Sequence, residues 1–311
     1  MSLDPVVMFF LLGLFAGLAK SELKLSPAIE DFLSVALLLS IGLKGGIELH
    51  HLPFVALWPK VLAVLLMGFT IPLVLYPVLK RLGRMDRADA ASVAAHYGSV
   101  SVGTFAVAAA YLTQAKVTYE AYMPLFVVVL EAPAIVIGVL LAKGIRKGAP
   151  WRMTAHEIFL GKGMVLMLGG LAIGAIAGPQ SLSQVGDFFF GMFKGLLALF
   201  LLGMGLLTAS KIGGLRQHGL FLVVFGLLTP LLLGLVGLGV GHAIGLSIGG
   251  ATLMATLAAS ASYIAVPAAM KTAVPEANPS VSLGVALGVT FPFNVLVGIP
   301  LYHEWAQRLL G

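Results

Sequence analysis

Two short polar stretches interrupt long apolar runs of this sequence, and their residue types suit the binding of a small ion. One is HYGSVSVGTF (His96–Phe105) and the other is ASASYIAVP (Ala259–Pro267). A helix that breaks at membrane depth frees N–H groups that attract anions, and it frees carbonyl groups that hold sodium together with hydroxyls. We therefore predict two breaks that face each other around a small substrate. Their hydroxyl residues are Ser99, Ser101, Thr104, Ser260 and Ser262.

Glycine and proline beside the serines favour broken helices over ordinary ones. A lone serine in a membrane helix usually bonds to its own backbone. Here Gly98 and Gly103 bracket the first Ser-x-Ser pair, and glycine weakens a helix by about 1 kcal/mol against alanine. Pro267 has no N–H, so we predict it at the first position of a second half-helix.

Composition indicates an all-α polytopic membrane protein. The chain has 311 residues, of which 59% are hydrophobic and 10% charged, whereas soluble domains carry roughly a quarter charged residues. The start, MSLDPVV, has no Lys or Arg before its apolar segment, which predicts a first membrane helix and not a cleavable signal. Ten apolar segments are predicted, at 5–19, 27–49, 53–79, 88–114, 120–142, 161–178, 185–210, 217–244, 248–270 and 281–303.

The basic residues predict the orientation of these helices. Of the 19 Lys and Arg, 14 fall in alternate connections, which by the positive-inside rule are cytoplasmic. Both termini are then outside an inner (plasma) membrane. Lys44 and Lys194 lie near the predicted outer helix ends, where we expect them to snorkel towards water. The net charge of +6 is assigned to this orientation and not to nucleic acid.

Internal similarity predicts two inverted repeats of five helices. Ser99 and Ser260 are 260 − 99 = 161 residues apart, in the fourth and ninth segments. IGL at Ile41–Leu43 and MGL at Met204–Leu206 are 204 − 41 = 163 apart, in the second and seventh. Inverted repeats are common in secondary transporters. The predicted units are 1–143, a cytoplasmic linker at 144–160, and 161–311.

Glu131 is the main candidate for an ion ligand. It lies near the centre of the fifth segment, where a charge costs about 2.5–3.5 kcal/mol and is functional by default. It could coordinate sodium, carry a proton, or pair with His96 as a structural contact. Asn294 stands at the equivalent place in the tenth segment and is a further predicted ion ligand, as are Ser99 and Ser260.

Enzyme motifs are missing. The sequence has no G-x-S-x-G, H-E-x-x-H or P-loop pattern, no cysteine, and no histidine spacing typical of a metal site. We predict no enzyme activity and no cofactor other than a coupling sodium ion. A non-transporting membrane receptor or scaffold is an alternative of a different class.

Several motifs resemble those of the cyanobacterial-type sodium-dependent bicarbonate transporter family, along nearly the whole chain. They include SIGLKGGIEL (Ser40–Leu49), GSVSVGTFAVAAAYL, EAPAIVIGVLLA and the A-N-P-S element at Ala277–Ser280. The resemblance implies broken helices 4 and 9 that cross at the substrate, a gate domain of helices 1, 2, 6 and 7, and a core of helices 3–5 and 8–10. It also implies an elevator-like mechanism, a homotrimer and regulation by a PII-like cytoplasmic protein.

The resemblance also implies site residues, and the sequence departs from the family pattern at two places. It places the substrate site at Ser99, Ser101, Thr104, Ser260 and Ser262, and an acidic residue at Glu131. The run SASY departs from the Ser-Ser-Ser-Asp-like run of the family, so Tyr263 stands at the acidic position. The linker after helix 5 is also shorter. With Gly103 and Tyr263 added to the substrate site, we predict sodium-dependent symport of bicarbonate into the cytoplasm. The alternative is another small anion or carboxylate, with proton coupling through Glu131.

Overall fold

The computed structural model describes residues 4–49, 54–144, 155–156, 159–212 and 219–311. Within these ranges the chain is all-helical and has no strand. Most of the predicted linker 144–160 lies outside them. The helices are α1 (Pro5–Leu18), α2 (Pro27–Leu49), α3 (Phe54–Arg81), α4 (Arg87–Gly98), α5 (Val102–Gln114), α6 (Met123–Lys143), α7 (Lys162–Gly186), α8 (Phe193–Lys211), α9 (Gly219–Ala243), α10 (Ile248–Ala259), α11 (Ala265–Ala273) and α12 (Pro279–Leu310).

Seven helical stretches in the described ranges are long and apolar enough to cross a membrane, against ten predicted segments. Helix α1 has 14 residues and α10 has 12, so each is too short to cross a core of about 30 Å alone. Helices α7 and α8 form one stretch of 50 residues, Lys162–Lys211. This stretch is interrupted at Gly178, whose φ of 69° is left-handed and which precedes Pro179. That interruption is where the sixth predicted segment ends.

The third and tenth segments tolerate proline and irregular turns. Helix α3 contains three prolines, and α12 includes π-helical turns at Ala286–Thr290 and Asn294–Gly298. Such turns widen the helix and are frequent at functional sites. The second of them begins at Asn294, which was predicted as a site residue.

Two pairs of helices pack backbone against backbone through glycine. Helix α2 runs along α7: a β-carbon on Gly42 would lie 3.1 Å from Gly170 Cα, and one on Gly46 would lie 2.8 Å from Gly174 Cα. Helix α1 runs along α8 in the same way. In the α2–α7 pair the residue numbers increase together, so the two helices are parallel. We call the α2–α7 contact the glycine seam.

Helices α4 and α10 are half-length helices of 12 residues each, and both end at a serine with an extended backbone. Ser99 after α4 has φ −92° and ψ −169°, and Ser260 after α10 has φ −86° and ψ 165°. Helix α5 resumes at Val102 and α11 at Ala265. Pro267 is the third residue of α11 and not the first, so that detail of the prediction was wrong. The first turn of a helix has no internal acceptors for its N–H groups, so proline is tolerated there too.

Polar contacts show which helix ends lie together. Glu120 accepts hydrogen bonds from the Ser247 N–H (2.5 Å) and hydroxyl (3.2 Å) at the start of α10. We call this end of the molecule the predicted outer end. At the opposite end, the predicted cytoplasmic end, the Asn278 N–H donates to Asp89 Oδ1 (2.6 Å). Lys162 pairs there with Asp31 at 2.7 Å.

The broken α4–α5 unit lies at the centre of the molecule. Residues of its apolar window are 94% buried, against 39% for Leu57–Arg81 and for Gly219–Ala243. Large apolar side chains remain exposed on the peripheral helices, such as Phe15 and Ile176. The serine breaks are therefore enclosed by protein, and the outer helices present the apolar surface that a bilayer requires.

Candidate functional site

The two breaks touch each other directly. The Ser101 N–H donates a hydrogen bond to Ser260 Oγ at 2.9 Å, and the Ser262 N–H donates to the His96 carbonyl at 2.7 Å. All four residues are at most 2% exposed. The structure thus brings together three of the predicted serines and adds His96.

At the first break, Ser101 caps the start of α5. Its Oγ accepts from the Thr104 N–H at 3.0 Å and from the Thr104 hydroxyl at 2.8 Å. The Thr104 hydroxyl proton is therefore committed, while the Ser101 hydroxyl faces the Tyr263 phenol. The Val102 N–H has no acceptor among the described contacts, as expected for the first turn of a helix, and the Gly103 N–H faces the Tyr263 hydroxyl.

At the second break, the serine hydroxyls have different hydrogen-bond partners. Ser260 Oγ donates to the Leu257 carbonyl at 2.9 Å while it accepts from Ser101. Ser262 Oγ accepts from the Val266 N–H at 3.3 Å. Because Pro267 has no N–H, the start of α11 offers fewer free donors than the start of α5.

Buried polar atoms without a partner concentrate at this crossing. Four such side-chain atoms occur in the described ranges: His96 Nε2, Ser99 Oγ, Tyr263 Oη and Thr208 Oγ1. The first three belong to the broken units α4–α5 and α10–α11. A buried polar atom left unpaired costs about 1–3 kcal/mol, so three of them in the two broken units indicate a ligand or water site.

Tyr263 directs its hydroxyl at the start of α5. A β-carbon on Gly103 would collide with Tyr263 Oη, so only glycine fits there in this arrangement. The tyrosine ring packs edge-on against Phe291, with centroids 5.6 Å apart. The phenol therefore reaches the first N–H groups of α5.

Glu131 lies apart from the serines in the described contacts. It is 6% exposed, and a β-carbon on Gly163 at the start of α7 would lie 3.6 Å from its Oε1. It has no ion pair or hydrogen bond within the described ranges, so the contact with His96 considered from sequence is not formed. His96 Nδ1 lies instead 2.7 Å from the Ser92 carbonyl oxygen. The described residues contain no cluster of three or more His, Asp or Glu able to hold a metal ion.

Asn294 is fully buried and joins α12 to the second break. Its Nδ2 donates to the Ala259 carbonyl at 2.8 Å, and its Oδ1 accepts from the Tyr302 hydroxyl at 2.8 Å. It thus satisfies one of the carbonyls that the end of α10 leaves free. Only the second lone pair of Oδ1 remains for an ion.

Two cavities lie on either side of the crossing. The larger, of about 680 Å³, is at the predicted outer end and is lined by Lys44, Lys116 and Lys194 and by the buried residues Phe105 and Ser40. The smaller, of about 200 Å³, is at the predicted cytoplasmic end and contacts Tyr263. None of the serines at the breaks lines either cavity, so the site is closed off on both sides.

Sequence reasoning missed several supports of the site. The Tyr97 hydroxyl donates to Thr290 Oγ1, whose own proton bonds the Gly226 carbonyl at 2.9 Å. Asn278 of the A-N-P-S element makes two contacts. Its N–H donates to Asp89, and its side chain caps α12 by accepting from the Ser280 N–H at 3.0 Å. The element therefore links the start of α12 to α4. Thr290, a polar residue in an apolar run, was the signal for the Tyr97–Thr290 contact, and no sequence signal marked the Asp89–Asn278 contact.

Comparison with known proteins shows the family of this chain. No curated protein matches the chain. A family model described as the Na⁺-dependent bicarbonate transporter superfamily matches residues 5–307. This family consists of membrane transporters and not enzymes, so the chain is a multi-pass membrane protein. A match over nearly the whole chain, together with two contacting helix breaks that hold unpaired polar atoms, leads to one conclusion: the chain belongs to the Na⁺-dependent bicarbonate transporter superfamily.

Proposed function

We propose that this protein imports bicarbonate into the cytoplasm together with sodium, and that the substrate binds between the two breaks. The observation that carries the proposal is the set of unpartnered buried atoms: Ser99 Oγ, His96 Nε2 and Tyr263 Oη. Bicarbonate both donates and accepts hydrogen bonds, so it suits a site that mixes hydroxyls, an imidazole and free N–H groups.

The anion would sit at the start of α5. The N–H groups of Val102 and Gly103 and the positive end of the α5 dipole attract negative charge without any Lys or Arg. The hydroxyls of Ser101 and Ser262 are further donors, and the Tyr263 phenol is a neutral donor beside Gly103. Ser260 and Thr104 hold these groups in place.

An inverted repeat is supported by structural equivalence at the same offset found in the sequence. Asp86 caps α4 and Ser247 caps α10, and 247 − 86 = 161. The breaks that follow, at Ser99 and Ser260, are also 161 residues apart. The packing of α1 on α8 mirrors that of α7 on α2. These features support ten spans in units 1–143 and 161–311, with α1, α2, α7 and α8 as a gate and the remaining helices as a core.

A sodium ion would bind next to the anion. Candidate ligands are the hydroxyl of Ser99, the second lone pair of Asn294 Oδ1, and the carbonyls of Tyr97 and Gly98, which no described donor reaches. Glu131 would join through a rearrangement, since it now lies beside Gly163. Co-transport has an electrical reason: a negative interior opposes an anion by about 2.3 kcal/mol per 100 mV, and one sodium ion cancels that charge.

Access would alternate between the two cavities as the core moves against the gate. Phe200 from α8 and Tyr263 from the core meet at Gly103, so this contact separates the smaller cavity from the site. The homotrimer and the PII-like regulator rest on the family resemblance alone.

The second candidate is transport of another small anion or carboxylate, with proton coupling through Glu131. Two observations favour it. Tyr263 replaces an acidic residue of the family pattern, and Glu131 is a buried carboxyl with no ion pair in the described ranges.

Proteoliposomes with separately imposed gradients test both candidates. Labelled bicarbonate uptake should rise with an inward sodium gradient and not with an equal choline gradient. If uptake ignores sodium but follows an inward proton gradient, and Glu131→Gln abolishes that dependence, the second candidate replaces the first. Uptake of a short carboxylate in competition with bicarbonate identifies the anion.

A further inference from the structure

The lining of the larger cavity is positively charged. Three lysines line it, Lys44, Lys116 and Lys194, against a single carboxylate, Glu48. All three lysines are exposed, and none forms an ion pair or hydrogen bond with the residues that the structure describes. The lining therefore carries a net charge of 3 − 1 = +2.

Lys116 holds its position at a cost in backbone energy. Its φ is 56°, in the left-handed region that favours glycine or asparagine. It ends α5 in a Schellman motif: the Lys116 N–H donates to the Thr113 carbonyl at 3.2 Å, and the Val117 N–H donates to Leu112 at 2.9 Å. Its charge lies at the carboxyl end of α5, where the helix dipole favours a cation.

The carboxylates of Glu120 and Asp187 are close in sequence to lining residues but do not themselves line the cavity. Tyr119 also lines the cavity, and burial raises the pKa of its phenol, so it stays neutral. A sphere of 680 Å³ is about 11 Å across, comparable to the Debye length of about 8 Å at physiological ionic strength. Because the three lysines are exposed, an anion in the cavity interacts most strongly with the lysines that lie within about 8 Å of it.

The smaller cavity has the opposite charge. Its charged residues are Glu30, Asp31 and Lys162, and Lys162 pairs with Asp31 at 2.7 Å. The net charge is −1. The charges that line the two cavities thus favour a small anion in the larger cavity and disfavour one in the smaller cavity.

We propose that the larger cavity is an anion-collecting vestibule, in which Lys44, Lys116 and Lys194 raise the local concentration of small oxyanions before these enter the site. This rests on the proposed function, because the substrate is taken to be an anion that enters from this end. Phe105 lines the vestibule, is buried, and follows Thr104 directly, so the vestibule wall reaches the residue next to the first break. Electrostatic focusing of this kind accelerates capture and weakens with salt.

The first experiment measures uptake kinetics with a matched pair of variants. Lys116→Asn removes the charge with a residue that accepts the left-handed conformation. Lys20→Asn does the same at the predicted cytoplasmic end, where Lys20 has φ 56° and ends α1 in the same motif. At low ionic strength, Lys116→Asn should raise KM about two-fold, and the triple variant with Lys44→Gln and Lys194→Gln should raise it about five-fold, with kcat unchanged.

Both increases in KM should shrink in about 0.5 M impermeant salt. Equal KM values in the wild type and the triple variant, or equal effects of the paired variants, would overturn the proposal.

The second experiment does not depend on transport. The chain has no cysteine, so Thr113→Cys gives a single thiol on the exposed part of the vestibule wall. Its modification by an anionic methanethiosulfonate, relative to a cationic one, should be about ten-fold slower once the three lysines are neutralised. An unchanged ratio refutes the vestibule. If the ratio changes but the wild type takes up no bicarbonate under any gradient, the vestibule stands and the proposed function fails.

Discussion

The two breaks share a Ser-x-Ser pattern, but their first serines differ in their hydrogen-bond partners. Ser99 and Ser260 occupy equivalent positions and adopt nearly the same backbone angles. Ser260 Oγ donates its proton to the Leu257 carbonyl and accepts from the Ser101 N–H, so only one of its lone pairs remains. Ser99 Oγ is buried and has no partner in the described ranges. One serine therefore joins the two breaks, and the other is left for the ligand.

The second serines differ less, and the starts of the half-helices differ more. Ser101 and Ser262 each accept an N–H from the helix that follows. Helix α5 then offers the N–H groups of Val102 and Gly103, whereas α11 has Pro267 in its first turn and Tyr263 before it. Under the proposed function, the first break binds the anion, and the second break supports and closes the site.

Ser260→Ala should have the largest effect, because it removes the acceptor of the buried Ser101 N–H. We expect a loss of about 1–3 kcal/mol in the free energy of unfolding and at least a ten-fold fall in uptake. Denaturation in detergent and uptake in proteoliposomes measure both. Thr256→Val is the matched control, since that buried hydroxyl bonds only the Thr252 carbonyl of its own helix. If the two variants behave alike, Ser260 does not link the breaks.

Ser99→Ala separates binding from stability. We expect KM to rise about ten-fold, the value of one hydrogen bond to a charged ligand, while the unfolding free energy stays equal or increases slightly. The same two measurements apply. A loss of stability comparable to that of Ser260→Ala would show that Ser99 is also structural, and the asymmetry between the breaks would be lost.

Tyr263→Phe should have the smallest effect and tests whether the second break contributes a donor. The ring contact with Phe291 is kept and only the hydroxyl is removed, so stability should hold while KM rises about three-fold. Isothermal titration calorimetry of bicarbonate binding in the presence of sodium measures the affinity directly. An unchanged affinity would reduce Tyr263 to a packing residue.

Much of this arrangement could be predicted from the sequence, for a physical reason. Serine, glycine and proline in an apolar run violate local helix rules, and such violations mark functional sites. The roles of Ser99 and Ser260 could not be separated, because they depend on which N–H group approaches across the crossing. Asn294 was predicted as an ion ligand, but its contact with Ala259 follows from tertiary packing. Lys44 and Lys194 were expected to snorkel, and only the packing of α2, α5 and α8 shows that they line one cavity with Lys116.

The glycine seam restricts how this protein can move. Because Gly42 and Gly46 lie against Gly170 and Gly174 without room for a β-carbon, α2 and α7 cannot slide past each other without a backbone collision. A spectroscopic distance measured across this contact should stay constant throughout the working cycle. Displacement must instead occur where bulky rings meet, as at Phe200 and Tyr263, since a side chain can change rotamer and a peptide backbone locked against another cannot.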